Sequence, residues 1–243
     1  MSLPRFHVPK AAPGARVALP EHSAHHAREV LRLRAGSPVR VFDGDGGEFD
    51  AVLESVTRQG VLARLAGPVT ACPEPELRIV LALSPLKGDR MELVVQKATE
   101  LGVAEVWPVV TARTDAAARP ALRGTRHERW ERVASGAAEQ CGRAVVPLLL
   151  PTRPLGQVLA EPFDGTRLLF HELPGEPTLA RLQRPASAIL TLVGPAGGFD
   201  PAEVAGARDA GFVTVGLGPR VLRSETAALV AVTAIQVLWG DLA

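Results

Sequence analysis

Two glycine turns near the carboxyl end hold the clearest chemical potential in this chain. An apolar run at residues 189–193 enters Gly194-Pro195-Ala196-Gly197-Gly198. A second strand-like stretch enters Gly216-Leu217-Gly218-Pro219, and Arg220, Arg223 and Glu225 follow. Glycine lets backbone come close to a ligand and take φ values barred to other residues. Two such turns leaving strands at one sheet edge make a ligand crevice. The arginine and glutamate beside the second turn suggest chemistry as well as binding. Two other strand ends reach the same edge. Lys87 and Arg90, in Leu86-Lys87-Gly88-Asp89-Arg90, face either an anionic substrate or solvent at a helix start. His171-Glu172 is either part of the crevice or a surface turn.

Several familiar chemistries fail on spacing. Neither turn matches GxGxxG and no GxxxxGK[ST] occurs, which counts against dinucleotide and P-loop sites. The histidines His22, His25 and His26 lack cysteine or carboxylate partners at metal-ligand spacing. Asp43, Asp45 and Glu54 imitate three positions of a calcium loop, but Glu48 stands where glycine is required. Cys141 has no recognisable base, so it reads as a structural thiol. No metal is expected.

The elements that must place these groups fall into two styles. Residues 39–42, 48–53 and 61–65 alternate and are joined by the hairpin signal Asp43-Gly44-Asp45-Gly46-Gly47 and by Gln59-Gly60, after one helix near residues 22–33. This is a small β-barrel or sheet domain. Residues 67–75 hold three prolines and read as a linker. Beyond them the rhythm is strand, helix, strand. Residues 77–83 form a buried strand, 89–101 a helix stopped by Gly102, and 106–110 a strand. Residues 125–141 form a helix stopped by Gly142, and 145–150 and 167–170 supply more strands. Arg143 at that helix end complements the dipole. Asp200-Pro201-Ala202-Glu203 spells a capping box, and Ser224 is placed to cap the last helix. Residues 227–238 are apolar except for Thr233 and Gln236, so that helix is buried in the core or against a second subunit.

At 243 residues, 47% hydrophobic and 22% charged, the composition is that of a globular protein of one or two domains. No apolar run reaches membrane-spanning length and no signal-peptide pattern opens the chain. Two cysteines cannot build a disulfide framework, which fits a reducing cytoplasm. Net charge is +1, so any grip on a polyanion must come from local patches.

Taken together, Gly194-Pro195-x-Gly197-Gly198 and Leu217-Gly218-Pro219-Arg220-Val221-Leu222-Arg223-x-Glu225-Thr226-Ala227 closely resemble the RsmE family of bacterial 16S ribosomal RNA uridine-N3 methyltransferases. Lys87-x-Asp89-Arg90-Met91-Glu92, residues 96–103 and Glu139-Gln140-Cys141-Gly142-Arg143 look like further signatures in the family's order. Residues 26–33 and 36–50 resemble its N-terminal domain. The resemblance implies an α/β fold: a PUA-like RNA-binding β-barrel over residues 1–70, then a SPOUT methyltransferase domain over 74–243 with a deep trefoil knot. It implies S-adenosylmethionine (SAM) held by loops near Phe170, His171, Glu172, Gly194, Gly197, Gly198, Leu217, Gly218 and Leu222. It also implies a homodimer and, as substrate, 16S ribosomal RNA in the small ribosomal subunit. The family usually has glutamate where this chain has Ala196, so that side chain is given no role.

For methyl transfer to uridine N3, Arg223 is expected to stabilise charge on the uracil oxygens. Glu225 either accepts the N3 proton or orients Arg223. Arg5, His7, Arg28, Arg32 and Arg34 are expected to contact phosphates, with Lys87 and Arg90 also facing RNA. Two other classes compete: a nucleotide-dependent oxidoreductase, disfavoured by the missing fingerprint, and a non-catalytic RNA-binding or ribosome-assembly protein, for which Ala196 leaves room.

Overall fold

The computed structural model describes residues 3–115, 125–172 and 176–242; Met1 and Ser2 of the N-terminal reading lie outside them. The chain divides into two compact units. One comprises Met1–Glu74 and Ser135–Val146, the other Pro75–Ala134 and Pro147–Ala243. The two-domain reading of the sequence did not place residues 135–146 with the first unit.

In the first unit, β1 (Arg5–His7), β2 (Arg16–Ala18), α1 (Glu21–His25), β3 (Pro38–Phe42), β4 (Glu48–Thr57) and β5 (Gly60–Val69) build a five-stranded sheet. Its order is β1-β3-β4-β5-β2. The long β4–β5 hairpin turns at Arg58-Gln59, with Thr57 opposite Gly60. Its inward residues, including Phe49, Ala51, Leu53, Val61, Ala63 and Leu65, pack with Phe6, Val39 and Val41 into one core. Period-two alternation put these residues on one face, as a half-buried sheet requires. One feature differs from the sequence reading. The expected 22–33 helix is one α turn that widens into a π-helix at His26–Val30 and stops at Arg32, whose φ is +53°. Within the β3–β4 hairpin, Asp43 Oδ1 accepts from Asp45 N at 2.8 Å and Gly47 N at 2.9 Å and so shapes the turn.

The second unit contains β6 (Arg78–Leu83), α2 (Arg90–Glu100), β7 (Glu105–Val110), α3 (Thr125–Cys141), whose last residues belong to the first unit, β8 (Leu148–Leu149), β9 (Arg153–Pro154), α4 (Leu155–Ala160), β10 (Thr166–Phe170), β11 (Ala188–Val193), α5 (Pro201–Asp209), β12 (Val213–Val215) and α6 (Ser224–Trp239). Every strand pair is parallel, in the order β12-β10-β11-β6-β7-β8, with β9 against β7. β11 is buried throughout, as a central parallel strand must be when both faces are covered. Val80, Ala82, Leu190 and Leu192 point to one face and pack with Leu155, Val158, Val204 and Ala207 of α4 and α5. The alternate residues of β6 and β11 face the other way, where α6 packs on both strands and on α2. Gln236, a buried polar residue of α6, donates to Leu101 O at 2.6 Å and so satisfies the end of α2. Among the described residues no helix is long and apolar enough to cross a membrane.

Candidate functional site

Register brings the site together. Phe170 pairs with Val193 on one side and Val215 on the other, so β10, β11 and β12 end at the same level. Their following loops and the first turn of α6 line one cleft at the carboxyl ends of the strands, where open parallel sheets bind ligands. Phe170, His171, Glu172, Gly194, Gly198, Leu217, Gly218 and Leu222 all line it, as expected from the sequence. Gly197 does not; it lies behind its turn, where an added Cβ would stand 3.4 Å from Arg113 Cβ. Pro195, Ala196 and Arg220, from the loops named in the sequence, also line it, and Val193, Phe199, Ser224 and Ala227, which the sequence reading did not single out, complete the wall. The helix beginning at residue 224 was the signal that could have found Ser224 and Ala227.

The glycines are required locally. Gly198 has φ +68° and its N–H donates to Pro195 O at 2.8 Å, closing the turn. Gly194 instead makes room for a neighbour: a Cβ there would stand 2.9 Å from the Phe199 ring. The capping box at the start of α5 is present, with Asp200 Oδ1 accepting from Ala202 N and Glu203 Oε2 from Asp200 N. Ser224 is not a cap: Arg223 occupies that position without a side-chain bond, and Ser224 is buried as the first helical residue.

The chemical groups fall into distinct settings. Arg223 is exposed, and its guanidinium has no hydrogen-bonded or ionic partner among the described residues. Glu225, in the next position but one, is half-buried and its Oε1 lies 3.5 Å from Arg90 Nε, so its partner is Arg90 and not Arg223. Lys87 pairs with Asp115 at 2.6 Å. The positive end of the α6 dipole borders the cleft and favours negative charge there. His171 Nδ1 is buried without a partner among the described residues, an unmet hydrogen-bonding capacity beside the cleft. Apolar walls from Phe170, Val193, Phe199, Leu217 and Leu222, closely presented backbone and that imidazole nitrogen fit a nucleoside-bearing cofactor. No group of three or more His, Cys, Asp or Glu among the described residues is placed to hold a metal.

The phosphate candidates of the first unit divide. Arg5 is turned inward: Nε pairs with buried Glu48 at 2.9 Å, and its other nitrogens donate to Ala138 O and Arg143 O. His7 N donates to Glu139 Oε1 at 2.9 Å, and its Nδ1 lies 3.0 Å from Ser135 Oγ. Burial pushes the His7 imidazole below its ordinary value and the Glu139 carboxyl above its own. Arg5 and His7 therefore tie residues 135–146 to β1, and the expectation of phosphate contacts is corrected for both. Arg28 pairs with Glu29 at 2.6 Å and donates to Thr57 O. Arg32 and Arg34 are exposed with no side-chain partner among the described residues. Arg143 is buried against Glu74, with Nε 3.0 Å from Oε2, which is more than the dipole role read from the sequence.

This combination of a parallel-sheet cofactor cleft and a separate β unit has known counterparts. Residues 73–236 match the family model described as an RNA methyltransferase domain, and residues 19–66 match an RNA methyltransferase PUA domain. Ribosomal RNA small subunit methyltransferase E of Mycobacterium tuberculosis is 34% identical over 237 residues, covering 93% of this chain and 87% of its own. The Bacillus subtilis protein of that name is 31% identical over 229 residues, covering 89% and 90%. The structure of the Neisseria gonorrhoeae protein of that name, bound to S-adenosyl methionine, superposes with a TM-score of 0.90 at 36% identity, covering 99% of this chain and 100% of that one. A Legionella pneumophila structure with bound SAM gives 0.93 at 34%, covering both chains completely. The chain belongs to the ribosomal RNA small subunit methyltransferase E family.

Proposed function

We propose that this protein transfers the methyl group of SAM to N3 of a uridine in 16S ribosomal RNA, acting on the small ribosomal subunit in the cytoplasm. The observation that carries the reading is the cleft at the ends of β10, β11 and β12, with the Arg223 guanidinium, unpaired among the described residues, at its α6 border. The second unit, Pro75–Ala134 with Pro147–Ala243, holds the chemistry, and the first unit, Met1–Glu74 with Ser135–Val146, is the PUA-like RNA-binding portion. The cleft residues Phe170, His171, Glu172, Gly194, Gly198, Leu217, Gly218 and Leu222 hold the cofactor.

When bound, SAM supplies an electrophilic methyl on a sulfonium whose positive charge is lost on transfer. N3 must give up its proton as the new bond forms. Arg223, exposed and with no side-chain partner among the described residues, donates to the uracil carbonyl oxygens and stabilises the negative charge gathering there. Glu225, held by Arg90 and not engaged with Arg223, receives the N3 proton. Position 196 contributes only a methyl group to the wall, so no step depends on it. Placement and exclusion of water account for the remaining rate gain.

Three further assignments complete the reading. The tail from β12, at the sheet edge, returns so that α6 packs on β6 and β11 at its centre; we read this return as threading through the fold in a trefoil knot. The outer face of α6, with Val230, Val237 and Leu238 exposed beside Leu229 and Ala234, is the contact of a homodimer. Arg28, Arg32 and Arg34 supply phosphate contacts from the barrel, and Lys87 and Arg90 from the methyltransferase domain. The test is mass spectrometry of 16S ribosomal RNA from small subunits incubated with protein and SAM. N3-methyluridine at one position is expected; unmodified RNA would sink the proposal and favour the non-catalytic alternative.

A further inference from the structure

The residues that follow β7 carry no motif, yet they brace the cofactor turn from behind. β7 and β11 are separated in the sheet by β6, so residues 111–115 must cross the end of β6 to reach the loop after β11. They meet it at three points. Ala112 N donates to Glu203 Oε1 at 2.7 Å, Arg113 Nη1 donates to Gly197 O at 2.9 Å, and Arg113 Nη2 lies 3.7 Å from Asp200 Oδ2. Beneath the crossing, the buried Thr114 hydroxyl accepts from Thr111 N at 2.8 Å and lies 2.7 Å from Ser84 Oγ, anchoring the segment to the end of β6. Ser84 N in turn donates to Val193 O, the last residue of β11.

The turn at 194–198 therefore has two faces. Gly194, Pro195, Ala196 and Gly198 line the cleft, while Gly197 offers its carbonyl to Arg113 on the opposite side. A turn with three glycines is entropically costly to hold in one conformation. If ligand binding alone had to order it, that cost would be subtracted from affinity. A charge-assisted bond to the central carbonyl settles the conformation beforehand.

We propose that Arg113 is a positioning residue for the methyl donor, fixing the Gly197 peptide so that the opposite face of the turn is preorganised for binding. The proposal rests on reading the cleft as the SAM site. Calorimetry with SAM and S-adenosylhomocysteine, and hydrogen exchange of residues 194–199 in the ligand-free protein, test it on the full chain. Arg113→Ala should weaken both ligands about tenfold, raise the KM for SAM in proportion, leave the KM for RNA unchanged, and speed exchange at the Gly198 amide. Arg113→Lys, which retains one donor able to reach the carbonyl, should restore most of the affinity. Asp200→Asn, which keeps the helix cap but removes the exposed ion pair, should bind SAM like the wild type. Unchanged SAM affinity or unchanged exchange in Arg113→Ala overturns the brace. So does a rise in the KM for RNA with SAM affinity intact, because the guanidinium would then face substrate. Failure of the folded wild type to bind SAM sinks the cofactor reading itself, and the exchange result still decides whether Arg113 holds the turn.

Discussion

Gly194→Ala is the most demanding probe of the cleft, because its cost follows from three distances. The new Cβ would stand 2.9, 3.1 and 3.3 Å from Cε2, Cδ2 and Cζ of Phe199. Ordinary contact begins at 3.4 Å, so the ring edge must retreat by at least 3.4 − 2.9 = 0.5 Å. Phe199 cannot swing into water, since it is buried in the core formed by β6, β10, β11 and α5. Overpacking of this kind costs about 1–3 kcal/mol, and for a chain of this length that lowers the Tm by roughly 2–12 °C. The same ring forms part of the cleft wall, so its displacement should also weaken SAM by about tenfold, or 1.4 kcal/mol. Differential scanning fluorimetry and calorimetry read the two effects separately. Phe199→Leu removes the ring edge, and the double variant should recover at least about 1 kcal/mol relative to the sum of the single changes. A Gly194→Ala protein with wild-type melting and wild-type SAM affinity, or simple additivity with Phe199→Leu, would refute the reasoning.

Four other outcomes are expected. Arg223→Ala should reduce turnover by about 10²–10³-fold or more while SAM binding, measured by calorimetry, stays within twofold or so; retained turnover would refute the assignment. Arg32→Ala with Arg34→Ala should lower RNA affinity and reduce the slope of log K against log salt by about two, and an unchanged slope would count against phosphate contact. Burial raises the Glu139 carboxyl above its ordinary value of 4.5, so its contribution to stability is fully present below that pH and is lost as pH rises through the raised value. Glu139→Gln, which keeps the acceptor for His7 N and Ser23 Oγ, should thus gain stability over the wild type as pH climbs from about 4.5 to neutrality; a constant difference between the two melting curves would contradict this. Val237→Glu, on the outer face of α6, should convert dimer to monomer in light scattering, and an unchanged mass would place the subunit contact elsewhere.

What could be read from the chain follows the range of the forces involved. Strands 78–83 and 188–193 were visible because burial on both faces demands unbroken apolar runs, and α5 because its capping box is local. The cleft residues were visible because positive φ and close approach select glycine at Gly198 and Gly218. Long-range pairing left no such trace. β1 is three residues long and pairs in parallel with β3, so nothing near Arg5 or His7 announced Glu48, Ser135 or Glu139 as partners. Two basic side chains at an amino terminus accordingly looked like phosphate ligands. Gly197 was grouped with its neighbours by spacing, although its carbonyl is held by Arg113, 84 residues away. Ser224 suits a cap by type, but the helix begins one residue earlier and draws the hydroxyl inward.

Because residues 135–146 belong to the first unit, that unit is not a cassette that can be excised at the proline-rich stretch. A fragment ending at Glu74 would lose the Ala138 and Arg143 carbonyls that receive the Arg5 guanidinium, the Ser135 hydroxyl beside His7 and the carboxylate that accepts from His7 and Ser23. Arg143, the partner of Glu74 itself, would go with them. Grafting this RNA-binding portion onto another enzyme therefore requires transplanting two stretches of chain, and an isolated amino-terminal piece is expected to be soft along the edge formed by β1.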